Sequence, residues 1–247
     1  MKLSNLNIII TGGSGLLGKS IVKLLIEEGA TVINIDVKET EFEHSNLHFY
    51  SCDILNESEL ETTLDNISKS YKTIDGLINN AYPRTKDWGL KFEDIPFESL
   101  NKNLSMQIAS HFKLCQLVAK VMKIQKSGSI INIGSIYGMV GPDFNVYNNT
   151  EMTMPAAYSI IKGGMINFTR YLASYLGPFN IRVNCVSPGG IFDGQNSVFV
   201  KQYEEKVPMK RMGYPDDISP TIVFLLSKDS TYISGQNIAI DGGWTAI

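Results

Sequence analysis

Residues 7–36 read NIIITGGSGLLGKSIVKLLIEEGATVINID, and this stretch decides the fold. NIIIT (7–11) is a short β-rich run. Behind the glycines, Ile21, Val22, Leu24, Leu25 and Ile26 recur at the spacing of one helical face. Gly29 supplies the helix stop, and TVINID makes a second strand ending at Asp36. Strand, glycine-rich turn, helix and strand together form a βαβ unit. Glycines in such a turn let the backbone bend tightly and approach a pyrophosphate at the helix N-terminus. A carboxylate at the end of the second strand suits a ribose 2′-hydroxyl and repels a 2′-phosphate. The unit therefore reads as a dinucleotide site that favours NAD over NADP. Lys38 argues the other way, since a lysine there can meet a 2′-phosphate. A glycine-rich turn also occurs in other α/β proteins, but here the flanking strands and the acid accompany it.

The alternation continues downstream. LHFYSCDI (47–54) reads as a strand closed by Asp53 and Ile54, at the sheet edge where an adenine fits. Asp53 could equally cap the helix NESELETTLDNISKSY. IDGLINNAY is a strand ending in Asn79, Asn80 and Ala81. A polar, aromatic loop, YPRTKDWGLKFEDIP, leads into one long helix over 98–125, with His111 expected at its surface or at an interface. The strand SGSIINIGS, the helix AAYSIIKGGMINFTRYLASYLG, the strand IRVNCVSPGG, a short segment, the helix SPTIVFLLS and the strand QNIAIDGGW complete the chain. This pattern predicts an α/β class, a Rossmann fold with a doubly wound parallel sheet and helices on both faces, in one domain spanning 1–247. Ligands of such sheets sit beyond the carboxyl ends of the strands. Asp36, Asp53, Asn79, Ser135 and Pro188 all fall at such ends.

Residues 135–162 carry the chemistry. Tyr158 and Lys162 are four apart on a helix and share a face. An ammonium close to a phenol favours the phenolate, which would make Tyr158 an acid or base near neutral pH. Ser135 could hydrogen-bond the oxygen of a reacting carbonyl or alcohol. The YxxxK spacing alone also fits an ordinary amphipathic helix with an exposed lysine.

Bulk properties exclude several classes. A net charge of −3 with no basic block gives no nucleic-acid surface, and 43% hydrophobic residues suffice for a sizeable core. Cys52, Cys115 and Cys185 lie in apolar runs without a CxxC pair, which points to reduced thiols and a cytoplasmic location. The three histidines have no metal-ligand spacing, so no metal is expected. No apolar run reaches the roughly 20 residues that span a bilayer, and MKLSNLNIIITGG enters a strand at once, so no signal peptide is expected.

In this order, the motifs resemble the short-chain dehydrogenase/reductase family over nearly the whole chain. TGGSGLLG resembles its cofactor turn, CDI its adenine contact, NNA its strand-four signature and SPGG its nicotinamide loop. RMGYPDDIS and GQNIAIDGG are similar to its late helix entry and last strand. The resemblance implies cofactor contacts at Gly12, Ser14, Gly15, Leu16, Leu17, Gly18, Asp36, Asp53, Ile54, Asn80, Ala81, Tyr158, Lys162, Pro188, Gly189 and Ile191. It implies catalysis by Asn103 (in KNLSM), Ser135, Tyr158 and Lys162. Tyr158 would exchange a proton with the substrate oxygen while hydride passes between substrate and nicotinamide, Ser135 would orient that oxygen, and Asn103 would help hold a relay water. It also implies a homotetramer or dimer packed through helices 98–125 and 156–176.

The departures bear on substrate. Leu16 stands where similar members place glycine. Tyr82-Pro83 follows NNA in place of a glycine, and Ile191-Phe192-Asp193 lacks the usual threonine. Between Ser135 and Tyr158 the chain is longer than usual, with an insertion at about 141–154 carrying Asn145, Tyr147, Asn148, Asn149, Thr150, Glu151 and Thr153. NNAYPRTKDWG, MTMPAAYSIIK and NCVSPGGIFDGQ are similar to a narrower group, bacterial oxidoreductases of flagellin and surface-glycan sugar biosynthesis. The expectation is an NAD(H)-dependent oxidoreductase interconverting alcohol and ketone on a sugar or amino-sugar. Tyr82, Arg84, Asn145 and Tyr147 would meet the substrate, and Arg84 with Lys86 a phosphate or carboxylate on it. A 3-oxoacyl or steroid-type reductase would need an apolar cleft instead. A non-catalytic dinucleotide sensor would not need all four catalytic residues.

Overall fold

The computed structural model describes residues 1–247. Seven strands form one parallel sheet: β1 (Asn7–Thr11), β2 (Thr31–Asp36), β3 (Leu47–Ser51), β4 (Gly76–Asn79), β5 (Gly128–Ile133), β6 (Ile181–Pro188) and β7 (Asn237–Ile240). Their order across the sheet is β3-β2-β1-β4-β5-β6-β7. The direction of winding reverses between β1 and β4, which opens a crevice at their carboxyl ends. The expected doubly wound α/β architecture is what the chain adopts.

The helices are α1 (Leu16–Glu27), α2 (Glu57–Ser70), α3 (Phe97–Leu104), α4 (Ser110–Gln125), α5 (Ala156–Leu176), α6 (Ser197–Lys206) and α7 (Pro215–Leu226). One apolar layer joins α2, α4 and α5 to the sheet through residues such as Leu64, Val118 and Leu172. The opposite layer joins α1 and α7 through Ile21, Leu25, Ile218 and Ile222. With both faces covered, the central strands carry apolar runs such as Ile8-Ile9-Ile10 and Ile130-Ile131, interrupted by the buried Asn34, Asn79, Asn132 and Asn184. No helix is long and apolar enough to cross a membrane.

Several local expectations are corrected. The helix over 98–125 is interrupted at Ser105–Ala109, which coils as a π turn between α3 and α4. His111 is 2% exposed, not a surface residue, because it faces the end of β4. Asp53 does not cap α2. Asn56 does, accepting from Glu59 N, while Asp53 accepts from Leu55 N and closes a local turn. The segment after β6 contains α6, a helix whose polar sequence SVFVKQYEEK hides two inward aromatics, Phe199 and Tyr203.

Candidate active site

The glycine turn follows β1. Gly12 has φ +68°, a conformation that favours glycine, and a Cβ there would lie 2.8 Å from Ala81 Cα. The turn is thus wedged against the end of β4. Asn80 completes the weld: its Nδ2 donates to Thr11 O and Gly12 O, and the Asn80 and Ala81 N–H groups both donate to Thr11 Oγ1. Helix α1 starts at Leu16 with Gly15 as its N-cap, no side-chain cap and no acidic residue in the first turn. Its N-terminal N–H groups and positive dipole end therefore face outward, a fit for a pyrophosphate. Leu16, the departure from the family turn, is 45% exposed at that opening.

Asp36 ends β2 beside the turn. Its carboxylate accepts from Ser14 N at 3.0 Å and Lys38 N at 3.2 Å, and Ser14 Oγ donates to Lys38 O. Asp36, Ser14 and Lys38 thus form one small knot at the rim. Gly13 N donates to the buried Asn34 Oδ1 at 3.0 Å beneath it. Ile54 is buried next to the exposed Asp53 at the end of β3. On the far side of the crevice, Gly189 N donates to Ile240 O and Gly190 N to Tyr203 Oη, and Ile191 pairs with Gly213. These ties hold the loop after Pro188 against α6 and β7.

Ser135, Tyr158 and Lys162 come together beyond β5. Ser135 is extended and buried, and its Oγ accepts from Tyr137 N at 3.2 Å as it caps a single helical turn. That turn packs onto α5 so closely that a Cβ on Gly138 would come within 2.5 Å of the Lys162 carbonyl carbon. Lys162 is 6% exposed, its Nζ donating to Ile133 O at 2.8 Å and lying 5.6 Å from the Tyr158 ring centre. Burial lowers the Lys162 pKa to about 8, with the Cys185 thiol opposing. Burial also raises the Tyr158 pKa, opposed by a hydrogen bond with Ser135. The phenol of the protein alone is therefore held protonated, contrary to the expected depression by its lysine neighbour. Desolvation is the stronger effect here.

Two aromatic side chains wall in this centre. Tyr82, Trp88 and Tyr158 meet edge to face, with ring centres 5.7 to 6.3 Å apart. Lys162 Nζ lies 5.5 Å and the Arg84 guanidinium 5.6 Å from the Tyr82 ring centre. Arg84 and Lys86 are exposed, and neither forms an ion pair.

The other expected substrate residues divide. Tyr147 is buried, stacked 5.3 Å from Phe199, while Asn145, Asn148 and Asn149 are exposed. The 141–154 insertion is thus packed through Val146 and Tyr147 while its asparagines face outward. Val146 and Tyr147 join Phe199, Tyr203, Met212 and Trp244 in a satellite core beside the sheet, with Met152 and Met154 packed against it.

Asn103 is buried on α3. Its Oδ1 accepts from Thr85 N, and its Nδ2 donates to Thr85 Oγ1 and Ser99 O. Its side chain ties the 82–96 loop to α3. One turn on, Gln107 is fully buried and its amide meets no protein partner. Sequence reasoning missed it, although the inward stripe Gln107, His111, Cys115, Met122 was visible in the helical period.

With this geometry in place, the known relatives can be compared. The family model described as Enoyl-(Acyl carrier protein) reductase matches residues 14–245. This chain is a short-chain dehydrogenase/reductase. Post-translational flagellin modification protein A of Campylobacter coli is 34% identical, over 98% of this chain and 99% of that protein. The 3-oxoacyl-[acyl-carrier-protein] reductase FabG of Thermotoga maritima is 30% identical, over 98% and 99%. Among solved structures, a short chain dehydrogenase from Leptospira borgpetersenii with bound NAD+ superposes with a TM-score of 0.91 at 36% identity, covering 99% of this chain and 94% of that one. The chain is thus an oxidoreductase of a family that works with a nicotinamide dinucleotide.

Proposed function

We propose that this short-chain dehydrogenase interconverts an alcohol and a ketone on a sugar or amino-sugar, with NAD(H) as its cofactor. The carrying observation is the convergence of Ser135, Tyr158 and Lys162 on the sheet edge that also holds the open glycine turn. The bound nicotinamide supplies or accepts hydride at the substrate carbon. Gly12 to Gly18, Asn80, Ala81 and the 188–191 loop would hold the dinucleotide, with Ile54 and Asp53 at the adenine. Asp36 at the ribose disfavours a 2′-phosphate, which supports NAD over NADP. Lys162 would take the nicotinamide ribose with its remaining protons.

In the reducing direction, Tyr158 Oη gives its proton to the substrate oxygen, and in the oxidising direction the phenolate takes the hydroxyl proton. Ser135 Oγ–H donates to that oxygen and stabilises charge on it. Lys162, kept dry by burial, favours the phenolate once charged. The raised phenol of the isolated chain suits the donor state, and the ammonium suits the return step.

Three features support a sugar-like substrate. Tyr82 and Trp88 offer ring faces beside Tyr158 for the apolar face of a sugar. Arg84 and Lys86 are free for an anionic group, and the Campylobacter relative is named for flagellin modification. Asn145 stands at the outer rim of the insertion. The Thermotoga relative favours a 3-oxoacyl substrate instead. A panel of amino-sugar phosphates and acyl thioesters separates the two: turnover of thioesters alone would overturn the sugar reading. Tyr158→Phe should lower kcat at least about 100-fold while NADH binding, followed by fluorescence, stays intact. Unchanged kcat would remove Tyr158 from the chemistry.

The chain would act as one dinucleotide-binding unit, in a dimer or tetramer paired through α4 and α5. Phe112, Tyr171 and Tyr175 leave an exposed aromatic face there. Its three unpaired thiols suit a cytoplasmic location. Sedimentation of the purified chain tests the pairing.

A further inference from the structure

Three phenols crowd together on the substrate flank of Ser135. Tyr137 belongs to the short turn that Ser135 caps, and its N–H donates to Ser135 Oγ. Tyr147 closes the helical turn Phe144–Tyr147 inside the 141–154 insertion. Tyr137 and Tyr147 are 6% and 7% exposed and lie in one satellite core, and Tyr158 packs against that core. Neighbours fix both rings. Tyr137 meets Trp244 edge to face at 6.3 Å, and Tyr147 stacks on Phe199. The Tyr147 carbonyl accepts from Thr150 N at 3.1 Å and from Thr150 Oγ1 at 2.7 Å. Gln202 Nε2 of α6 donates to Asn148 O, one residue further on. Both phenols are thus set in place beside Tyr158.

The hydroxyls are not needed for this packing. Tyr137 Oη is enclosed and makes no hydrogen bond within the chain. It faces the Tyr147 phenol without closing a hydrogen bond to it: after burial, Tyr147 is the main cause that pushes the Tyr137 phenol far above its usual range. Burial also raises Tyr147, opposed by the Tyr137 hydroxyl, and the Tyr158 phenol raises it further. Tyr147 therefore stands between the other two. Phenylalanine at 137 or 147 would keep every ring contact and spare a buried, unmet hydroxyl, which is unfavourable in an interior. A hydroxyl both donates and accepts, so Tyr137 can pass a hydrogen bond to Tyr147, and Tyr147 can pass one into the crevice.

We propose that Tyr147 is a specificity-determining residue whose phenol binds a second oxygen of the substrate, on the carbon next to the reacting one, with Tyr137 behind it as a positioning residue. The ligand class is a vicinal diol or its α-hydroxy ketone. This deepens the sugar reading and rests on Tyr158 acting at the reacting oxygen. Neighbouring phenols at 147 and 158 match oxygens on neighbouring carbons, which a sugar ring carries. The two carbonyls of a 3-oxoacyl chain sit on alternate carbons instead. In the oxidising direction, the C–H electron pair of the first carbon leaves as hydride to NAD+ and its O–H proton goes to the Tyr158 phenolate. The second oxygen keeps its proton throughout. A site built to hydrogen-bond a hydroxyl rejects the analogue that lacks it, because its own polar groups are then left unpaired.

The test measures kcat/KM with NAD+ for three ring alcohols: cis-cyclohexane-1,2-diol, cyclohexane-1,3-diol and cyclohexanol. The parent should use the 1,2-diol at least about tenfold better than cyclohexanol, and better than the 1,3-diol. Tyr147→Phe should lower the ratio of 1,2-diol to cyclohexanol about tenfold, mainly through KM. Tyr137→Phe should lower it about threefold and melt no lower than the parent, since it removes an unmet hydroxyl. If Tyr147→Phe folds poorly, Tyr137→Phe carries the test through the same ratio. A parent that uses the 1,2-diol no better than cyclohexanol, or prefers the 1,3-diol, overturns the proposal. So does a ratio unchanged in both variants, or an equal loss on diol and cyclohexanol. If Tyr158→Phe oxidises the 1,2-diol at the parental rate, the Tyr158 reading fails. If it is dead while Tyr147→Phe leaves the ratio unmoved, only the Tyr147 proposal fails.

Discussion

The two flanks of the crevice are built differently. On the cofactor flank, the glycine turn, Asn80, Thr11 and Asp36 are joined by hydrogen bonds to backbone groups. On the substrate flank, the 141–154 insertion, α6 and the C-terminal turn are joined by side chains: Tyr147 on Phe199, Tyr203 on Trp244 at 4.5 Å, and Lys206 above Trp244. Backbone ties tolerate almost no change in path and suit a ligand common to a whole family. An aromatic satellite core can be repacked while the sheet stays put, and suits a ligand that differs between relatives. The contrast assigns conservation of chemistry to one flank and choice of molecule to the other.

The strongest way to break that contrast is on the backbone side. Gly12→Val combines a positive φ with a side chain driven into Ala81. It should abolish NADH binding in titration calorimetry and lower stability by about 3 kcal/mol or more. Tyr147→Ala attacks the other flank. Removing a buried aromatic should lower stability by about 3 kcal/mol and raise KM for the substrate while leaving NADH affinity unchanged. A loss of NADH affinity there would show the flanks to be coupled. Asp36→Ala should weaken NADH about tenfold, roughly 1.4 kcal/mol, and improve NADPH, as read from the two KM values. The smallest effect belongs to Lys206, which pairs with Asp143 at 2.5 Å across the insertion and α6. Lys206→Met should change stability by less than about 1 kcal/mol, since the pair is solvent-exposed. Lys206 first, then the Asn145 N–H, holds the Asp143 carboxyl below its ordinary range. The pair's contribution is therefore full above about pH 4 and is lost as pH falls through the depressed folded value. Urea melts of the two forms should converge below that point.

The same division explains what could be read in advance. The turn, the strand-end positions of Asp36, Asn79, Ser135 and Pro188, and the parallel sheet follow from glycine positions and β/α alternation, which are properties of local sequence. The packing of the insertion was hidden because its asparagines and threonines outnumber the residues that fix it. Val146, Tyr147, Met152 and Met154 find their partners only on α6 and at Trp244, far along the chain. The α6 helix was missed for the related reason that its apolar residues are few. Asn103 matched a motif, whereas its hydrogen bond with Thr85, across the loop before α3, has no local signal. His111 looked like a surface residue because histidine is polar, although it shares a helical stripe with the buried Cys115.

The three cysteines offer a practical opening. Cys52, Cys115 and Cys185 are all buried and unpaired, and burial pushes the last two up to about 12 and about 11. Thiol reagents work through the thiolate at an accessible sulfur, so the folded chain is silent toward maleimide dyes at neutral pH. A single Asn145→Cys exchange on the exposed rim of the insertion would then be the sole labelled position. A fluorophore there can follow, in real time and without altering any native thiol, what the substrate flank does as candidate sugars are added.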